Sequence, residues 1–257
     1  MYAKLLAASY LSDKRVRIKD FTNLVDFLCW EQFPTESGAI EVHALDHHLQ
    51  DNLKDVSEKV GFEFMSRDLL LDHIAKHSRG HLWKYYFYNF IIYTKASLDS
   101  IAVALNLFFK FGFVRGQIDF GKGSFVKEVE KLPSFSNFSS RYRKWIERIT
   151  NYRDAIIHQK SVDLYPQVVA PRVRRVMIPF QAFSHEELLD IEESFENTLD
   201  HKRKDALERR IRPASLRKFL SENVLNTLEI MGCMSTEILR ELKKIYPDHK
   251  PSTVYYR

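Results

Sequence analysis

Residues 82–110, LWKYYFYNFIIYTKASLDSIAVALNLFFK, contain neither glycine nor proline and predict one long α-helix. Apolar side chains lie nearly all round this helix, which is typical of a buried central element. Six aromatic residues near its start supply contact area: Trp83, Tyr85, Tyr86, Phe87, Tyr88 and Phe90. Lys95, Asp99 and Asn106 interrupt the apolar run, and charges are costly at a bilayer centre, so we expect a core helix and no membrane span.

A second helix is predicted over residues 139–159. Trp145, Ile149, Tyr152 and Ile156 follow one another at offsets of 4, 7 and 11 residues. At about 100° per residue these side chains fall within ~60° of arc and form one buried stripe. Four glycines and Pro133 lie between the two helices and predict a loop.

The flanking sequence is more varied. Helices are expected over residues 21–30 and 42–60, and again over 184–210. Three prolines between residues 162 and 183 forbid a continuous helix there, while the valine-rich segments among them favour a small β-hairpin. A last helical pair is predicted over 215–245, broken near Gly232.

The whole chain has 257 residues with only 8 glycines and 8 prolines, and 45% of its residues are hydrophobic. This composition predicts a mainly all-α fold with enough apolar side chains for a core. We expect an N-terminal helical extension over 1–60, a helical bundle over 61–183, and a C-terminal helical region over 184–257 that stands apart or belongs to the same domain.

The cysteine pattern and the N-terminal sequence predict a cytoplasmic protein. Cys29 and Cys233 lie among apolar residues without CxxC spacing, which favours free thiols in a reducing compartment. The N-terminal apolar run is too short for a signal peptide. His43/His47 and His73/His77 have helical spacing but no third ligand, so we expect neither a metal nor a cofactor.

The most informative motif is NYRDAIIHQ at residues 151–159, in which Arg153 is followed by Asp154 and, after a short spacer, by His158. With the long apolar helix before it, this segment resembles the Arg-x4-His signature of the HEPN superfamily. The resemblance covers residues of about 80–160. It implies a helical bundle that forms a homodimer with two copies of the motif facing each other.

The resemblance also implies two alternative functions. Many HEPN proteins cleave RNA without a metal by attack of the ribose 2′-hydroxyl, some of them as toxins or defence proteins that have an antitoxin partner. In that case Arg153, Asp154 and His158 are the catalytic residues. Other members are non-catalytic scaffolds that bind nucleotides or proteins.

Helical geometry supports a composite site. With Trp145 at 0°, Arg153 lies at about 80°, while Asp154 and His158 lie near 180° and 220°, away from the core. Arginine and histidine of one chain are therefore separated by ~140°, and a two-fold partner is needed to bring them together. The alternative is structural: Arg153 pairs with Asp99, and His158 caps the helix.

The basic residues form runs. Arg141, Arg143, Lys144 and Arg148 share the helix of the motif, and the net charge is +5. We expect some of these four residues to bind the RNA backbone beside the site. A helical protein that binds RNA only through such charges is a further alternative, and an ordinary solvated helix face is the simplest one.

Overall fold

The computed structural model describes residues 18–34, 40–44, 47–76, 80–158, 165–169, 172–178 and 214–247. These residues are mainly α-helical, which confirms the predicted fold class. The helices are α1 (Ile18–Leu28), α2 (His47–Ala75), α3 (Gly80–Phe109), α4 (Gly123–Val129), α5 (Phe138–Ile157) and α6 (Leu216–Ile245), with a 3-10 turn at Pro133–Phe135.

Short strands accompany the helices. Strands β1 (Cys29–Pro34) and β2 (Ile40–Ala44) form an antiparallel pair. Strands β3 (Tyr165–Val169), β4 (Arg172–Ile178) and β5 (Ala214–Ser215) form an antiparallel sheet in that order. The hairpin of β3 and β4 lies inside the segment 162–183, where the prolines and valines predict one.

Helix α3 matches the predicted core helix within two residues at each end. It is also the one described helix that is long and apolar enough to cross a membrane, but 67% of its most apolar window is buried inside the protein. Five of its polar side chains are buried as well: Thr94, Lys95, Ser97, Ser100 and Asn106. This burial is typical of a core helix.

The chain divides into two compact units, and the boundary between them falls inside each of the four long helices. The first unit comprises Met1–Gly61, Ala96–Arg143 and Leu225–Arg257, and the second comprises Phe62–Lys95 and Lys144–Val224. The predicted division at residues 60 and 183 stays a prediction.

Three aromatic rings form the core of the second unit. Phe87 of α3 lies 6.0 Å from Tyr152 of α5 and 6.1 Å from Phe219 of α6, measured between ring centroids. Tyr152 and Phe219 are 5.4 Å apart. The predicted packing of the 82–110 helix against the 139–159 helix is therefore confirmed in this unit.

The first unit has an aromatic core of its own. Phe125 of α4 contacts three rings of the preceding loop, and Phe138 of α5 lies 4.8 Å from one of them, Phe120. The buried carboxylate of Glu237 accepts a 2.6 Å hydrogen bond from the backbone N–H of Ser134, at the start of the 3-10 turn. Arg240 donates to the same carboxylate, which leaves the buried charge with two partners.

A polar contact joins α2 and α3 in the first unit. The carboxylate of Asp55 accepts hydrogen bonds from Lys59 Nζ at 2.7 Å and from Ser100 Oγ at 2.6 Å, and Lys59 also donates to Ser100. Partial burial raises the pKa of Asp55, but the hydrogen bonds from Lys59 and Ser100 outweigh burial and hold this pKa below its ordinary value.

The prediction of a helix over 42–60 was wrong at both ends. Residues 42–44 lie in β2, where Val42 pairs with Gln32 of β1, and α2 begins at His47 and continues to Ala75. Pairing with a neighbouring strand thus overrides the leucine spacing at the start of the segment. His43 and His47 consequently share no helix face.

Two breaks in the chain were also predicted incorrectly. The glycine-rich loop contains α4, which buries Phe125, Val126 and Val129 along one side. Helix α6 continues through Gly232 without a break. Ser235 and Thr236, which resemble a helix start in sequence, instead donate their hydroxyl protons to the carbonyl oxygens four residues earlier. The helix predicted over 184–210 lies outside the described residues.

Replacing Gly61 with alanine is expected to stabilise the protein. Gly61 lies inside α2, and an added Cβ would meet no atom within 4 Å. Because alanine favours helix over glycine, Gly61→Ala should raise the free energy of unfolding by about 0.5–1 kcal/mol in urea denaturation. The matched control is Gly112→Ala, which should destabilise because Gly112 has a φ of +80°. A destabilised Gly61→Ala would contradict the assignment of an uninterrupted α2.

The Asp55 contact predicts a pH-dependent loss of stability. The unfolded chain has the higher Asp55 pKa, so ionised Asp55 stabilises the fold above that ordinary value of 3.8, and this contribution disappears as the pH falls through the lower folded-state pKa. Asp55→Asn should therefore lower the melting temperature at pH 7 and have little effect near pH 2. The control is Asp51→Asn on the exposed side of the same helix, and equal effects of Asp55→Asn at both pH values would contradict this account.

Candidate functional site

The candidate site lies on the last turn of α5, and the core residues of that helix determine which side chains reach solvent. Ile149 and Tyr152 are fully buried, while Trp145 and Ile156 are half-buried. The predicted stripe therefore faces the core. Beyond it, Arg153 and Asp154 are half-exposed, and Ile157 and His158 are exposed.

Arg153 and Asp154 form an ion pair with each other. Nη1 of Arg153 donates to Oδ1 of Asp154 at 2.8 Å, and the two side chains remain 42% and 45% exposed. Half-exposed ion pairs contribute only about 0–1 kcal/mol to stability, because water screens the charges. A phosphate group can therefore replace Asp154 as the partner of Arg153 at low cost.

His158 ends the helix. Its backbone N–H donates to the carbonyl oxygen of Asp154 at 2.9 Å, which continues the helical pattern by one residue. Within the described part of the chain, no side-chain hydrogen bond joins the imidazole of His158 to the carboxylate of Asp154. The orienting role expected for Asp154 stays a prediction.

Asp99 was predicted to be the structural partner of Arg153. It is half-buried on α3 and belongs to the first unit, whereas Arg153 belongs to the second. The partner of Arg153 that the structure gives is Asp154, and the pairing with Asp99 stays a prediction.

Among the four predicted RNA-binding residues, Arg141 and Arg148 contact side chains of α6. Nη2 of Arg141 donates to Glu229 of α6 at 2.6 Å. The guanidinium of Arg148 lies 4.6 Å from the centre of the Phe219 ring and 5.8 Å from that of Tyr152. Its Nε and Nη2 atoms are shielded from solvent. Arg148 thus contributes to the core as well as to the surface.

The other two, Arg143 and Lys144, are exposed on α5. Exposed cations on flexible stems are suited to phosphate contacts. Lys144 belongs to the same unit as Arg153 and His158. Lys144 is therefore the exposed one of the four predicted residues that shares a unit with the motif.

Two neighbouring tyrosines have pKa values above the ordinary value. Burial raises the pKa of Tyr152 to about 12, and the nearby charge of Arg148 offsets this shift only in part. Burial and a hydrogen bond to Glu229 also raise the pKa of Tyr142. Both phenols therefore stay protonated at neutral pH.

In the described residues, no three or more histidine, cysteine, aspartate or glutamate side chains are placed so that they could hold a metal ion. One histidine of the proposed pairs, His73, stacks on Tyr86 with ring centroids 4.9 Å apart. Its environment is therefore aromatic.

Comparison with known proteins gives no further guide to this site, because no protein-family model, curated protein or solved structure matches the chain. The functional argument consequently rests on the residues and on their geometry.

Because Lys144 is exposed, we expect its replacement to change the salt dependence of RNA binding. Each phosphate contact of a single strand contributes about −0.7 to the slope of log K against log salt concentration. Lys144→Gln should therefore make the slope for RNA binding about 0.7 less steep, as measured by fluorescence anisotropy over a salt series.

Two control variants separate charge from packing. Lys127→Gln removes an exposed lysine of α4 in the first unit and should leave the slope unchanged. Arg148→Ala should lower the melting temperature, because it removes the contact with Phe219. If Lys144→Gln and wild type have the same slope, Lys144 is an ordinary solvated charge.

Proposed function

We propose that this protein is a cytoplasmic, homodimeric endoribonuclease of the HEPN type that cleaves RNA without a metal. The observation that carries the proposal is the end of α5. There Arg153, Asp154 and His158 lie on the solvent side of a helix whose opposite side is buried, so that all three are accessible to a large substrate. A toxin or defence role, with an antitoxin as partner, is part of this proposal.

The chemistry follows from these residue types. The imidazole of His158 removes the proton of a ribose 2′-hydroxyl, and the resulting oxygen attacks the adjacent phosphorus. The bond from phosphorus to the 5′-oxygen breaks, the leaving oxygen receives a proton from solvent, and the imidazolium of His158 returns its proton to solvent. The products are a 2′,3′-cyclic phosphate and a 5′-hydroxyl. Arg153 stabilises the charge that develops on the phosphoryl oxygens.

Dimerisation solves a geometrical difficulty. Arg153 and His158 are five positions apart and therefore point ~140° apart on one helix, so a single chain presents them poorly to one phosphate. Ile157 is 50% exposed between them. Burial of Ile157 against a second copy would bring His158 of one chain towards Arg153 of the other.

A non-catalytic scaffold that binds nucleotides or proteins is the second candidate. It is favoured by the ion pair of Arg153 with Asp154, which partly neutralises the cation. The two candidates differ in one measurable property, which is RNA cleavage that depends on His158.

Cleavage should require His158 and no metal. We expect the purified wild-type protein to cut single-stranded RNA in the presence of EDTA and to leave cyclic phosphate ends, detected by mass spectrometry. His158→Ala should lower the rate at least ~100-fold, since it removes the general base. The control is His48→Ala, which removes an exposed histidine of α2 and should change nothing. Equal, background cleavage by wild type and His158→Ala would favour the scaffold.

Mixing variants tests the composite site. Arg153→Ala and His158→Ala should each be inactive alone, and a mixture of the two chains should recover part of the activity, because a mixed dimer retains one site with both groups. The reference is a mixture of His48→Ala with His158→Ala. Because His48→Ala keeps both Arg153 and His158, this mixture measures the activity that a chain with an intact site contributes. Full activity of wild type in a strictly monomeric preparation would exclude this mechanism, even for a true ribonuclease.

A further inference from the structure

An aromatic surface outside the candidate site is formed by three side chains of the second unit, which we name the Tyr85 platform. His73 of α2 stacks on Tyr86 of α3, with centroids 4.9 Å apart and the planes inclined by 22°. Tyr85 packs edge-on against Tyr86, with centroids 5.3 Å apart. Tyr85 is 59% exposed, so most of a large aromatic ring reaches solvent.

Basic residues surround this surface in the sequence. The segment 76–84, KHSRGHLWK, contains Lys76, Arg79 and Lys84 together with two histidines, and no acidic residue. Lys76 is 70% exposed, although it also pairs with Asp72 of the preceding turn. An exposed cation beside an exposed aromatic ring is a combination by which proteins bind single-stranded nucleic acid, because phosphates meet the cations while bases stack on the rings.

The fold connects the Tyr85 platform with the candidate site. Phe87, two residues after Tyr85, contacts Tyr152, which immediately precedes Arg153. Both surfaces therefore belong to the second unit and lie near the same aromatic core. Tyr85 lies two positions from Phe87 and so points ~160° away from it on α3, which means that a strand bound at both places would pass around this helix.

We infer that the Tyr85 platform is a base-stacking subsite for single-stranded RNA, with Tyr85 as the ring that receives an unpaired base. This inference rests on the proposed function for its choice of RNA as ligand. Stacking on a tyrosine tolerates every base, because each base has a π-face. The subsite therefore selects unpaired strands over duplex, and it supplies affinity to a site whose own cation is partly neutralised by Asp154.

The test measures RNA binding without cleavage. Fluorescence anisotropy with a short, unstructured, labelled RNA is carried out on His158→Ala and on the same chain with Tyr85→Ala. Because stacking of one base is worth about tenfold or more in affinity, Tyr85→Ala should raise Kd by at least ~10-fold. Tyr85→Phe keeps the ring and should stay within about twofold. The salt slope should not change, since stacking releases no counterions.

Matched controls make the outcome specific. Tyr246→Ala removes a tyrosine that is 38% exposed in the first unit and should leave Kd unchanged. Binding of duplex RNA should be insensitive to Tyr85→Ala. Melting temperatures check the fold, and an exposed side chain such as Tyr85 should alter them little.

The possible results distinguish failure of the stacking subsite from failure of the ribonuclease proposal. Tyr85-dependent binding without any cleavage by the wild-type protein supports the subsite and overturns the ribonuclease proposal. If Tyr85→Ala changes neither RNA cleavage nor RNA binding, the subsite is overturned and the ribonuclease proposal stands. If the protein does not bind RNA, the subsite and the ribonuclease proposal are both overturned. If Tyr85→Ala leaves RNA affinity intact but abolishes self-association or adsorption to anionic vesicles, the Tyr85 platform is a protein or lipid contact and the inference is wrong.

Discussion

The contact among Phe87, Tyr152 and Phe219 is the constraint on which the second unit depends. It joins three helices through three deeply buried rings, and dense apolar packing of this kind tolerates little rotation of any one helix. Since Tyr152 is fixed inwards, the residues that follow it on α5 have their directions fixed as well. The accessibility of Arg153, Asp154 and His158 is thus a consequence of where one tyrosine ring is buried.

The same core explains why the basic run of α5 offers less positive charge than its sequence indicates. Arg148 lies against Phe219, and Arg141 is held by Glu229 in the first unit. A charge count treats every arginine as available, whereas a guanidinium often packs its stem and its planar face against apolar neighbours. Positive charge for a ligand therefore has to come from other positions, such as Lys144.

Helices α3 and α5 were predictable because uninterrupted apolar spacing over twenty residues or more leaves few alternatives. The start of α2, the helix α4 and the continuity of α6 were not, since each depends on a tertiary partner. Gly232 shows the reason: glycine costs a helix roughly 1 kcal/mol, and burial of neighbours such as Met231 and Met234 outweighs that cost.

For the site, the sequence indicated the exposed side of α5. It did not indicate the Arg153–Asp154 pair, because local side-chain pairing depends on rotamers that periodicity does not describe.

That ion pair also decides how a ribonuclease of this design would distribute its binding energy. Because Arg153 is already paired with Asp154, it adds little to the affinity for an RNA phosphodiester before the reaction. As negative charge develops on the phosphoryl oxygens, it becomes more favourable for Arg153 to leave Asp154 and bind those oxygens. Interactions that strengthen towards the transition state raise the rate, while tight ground-state binding at the same position would not. Affinity is then better supplied away from the reacting phosphate. An exposed ring such as Tyr85, in the same unit but on a different helix, is suited to this role because stacking is unaffected by the charge that the reaction creates.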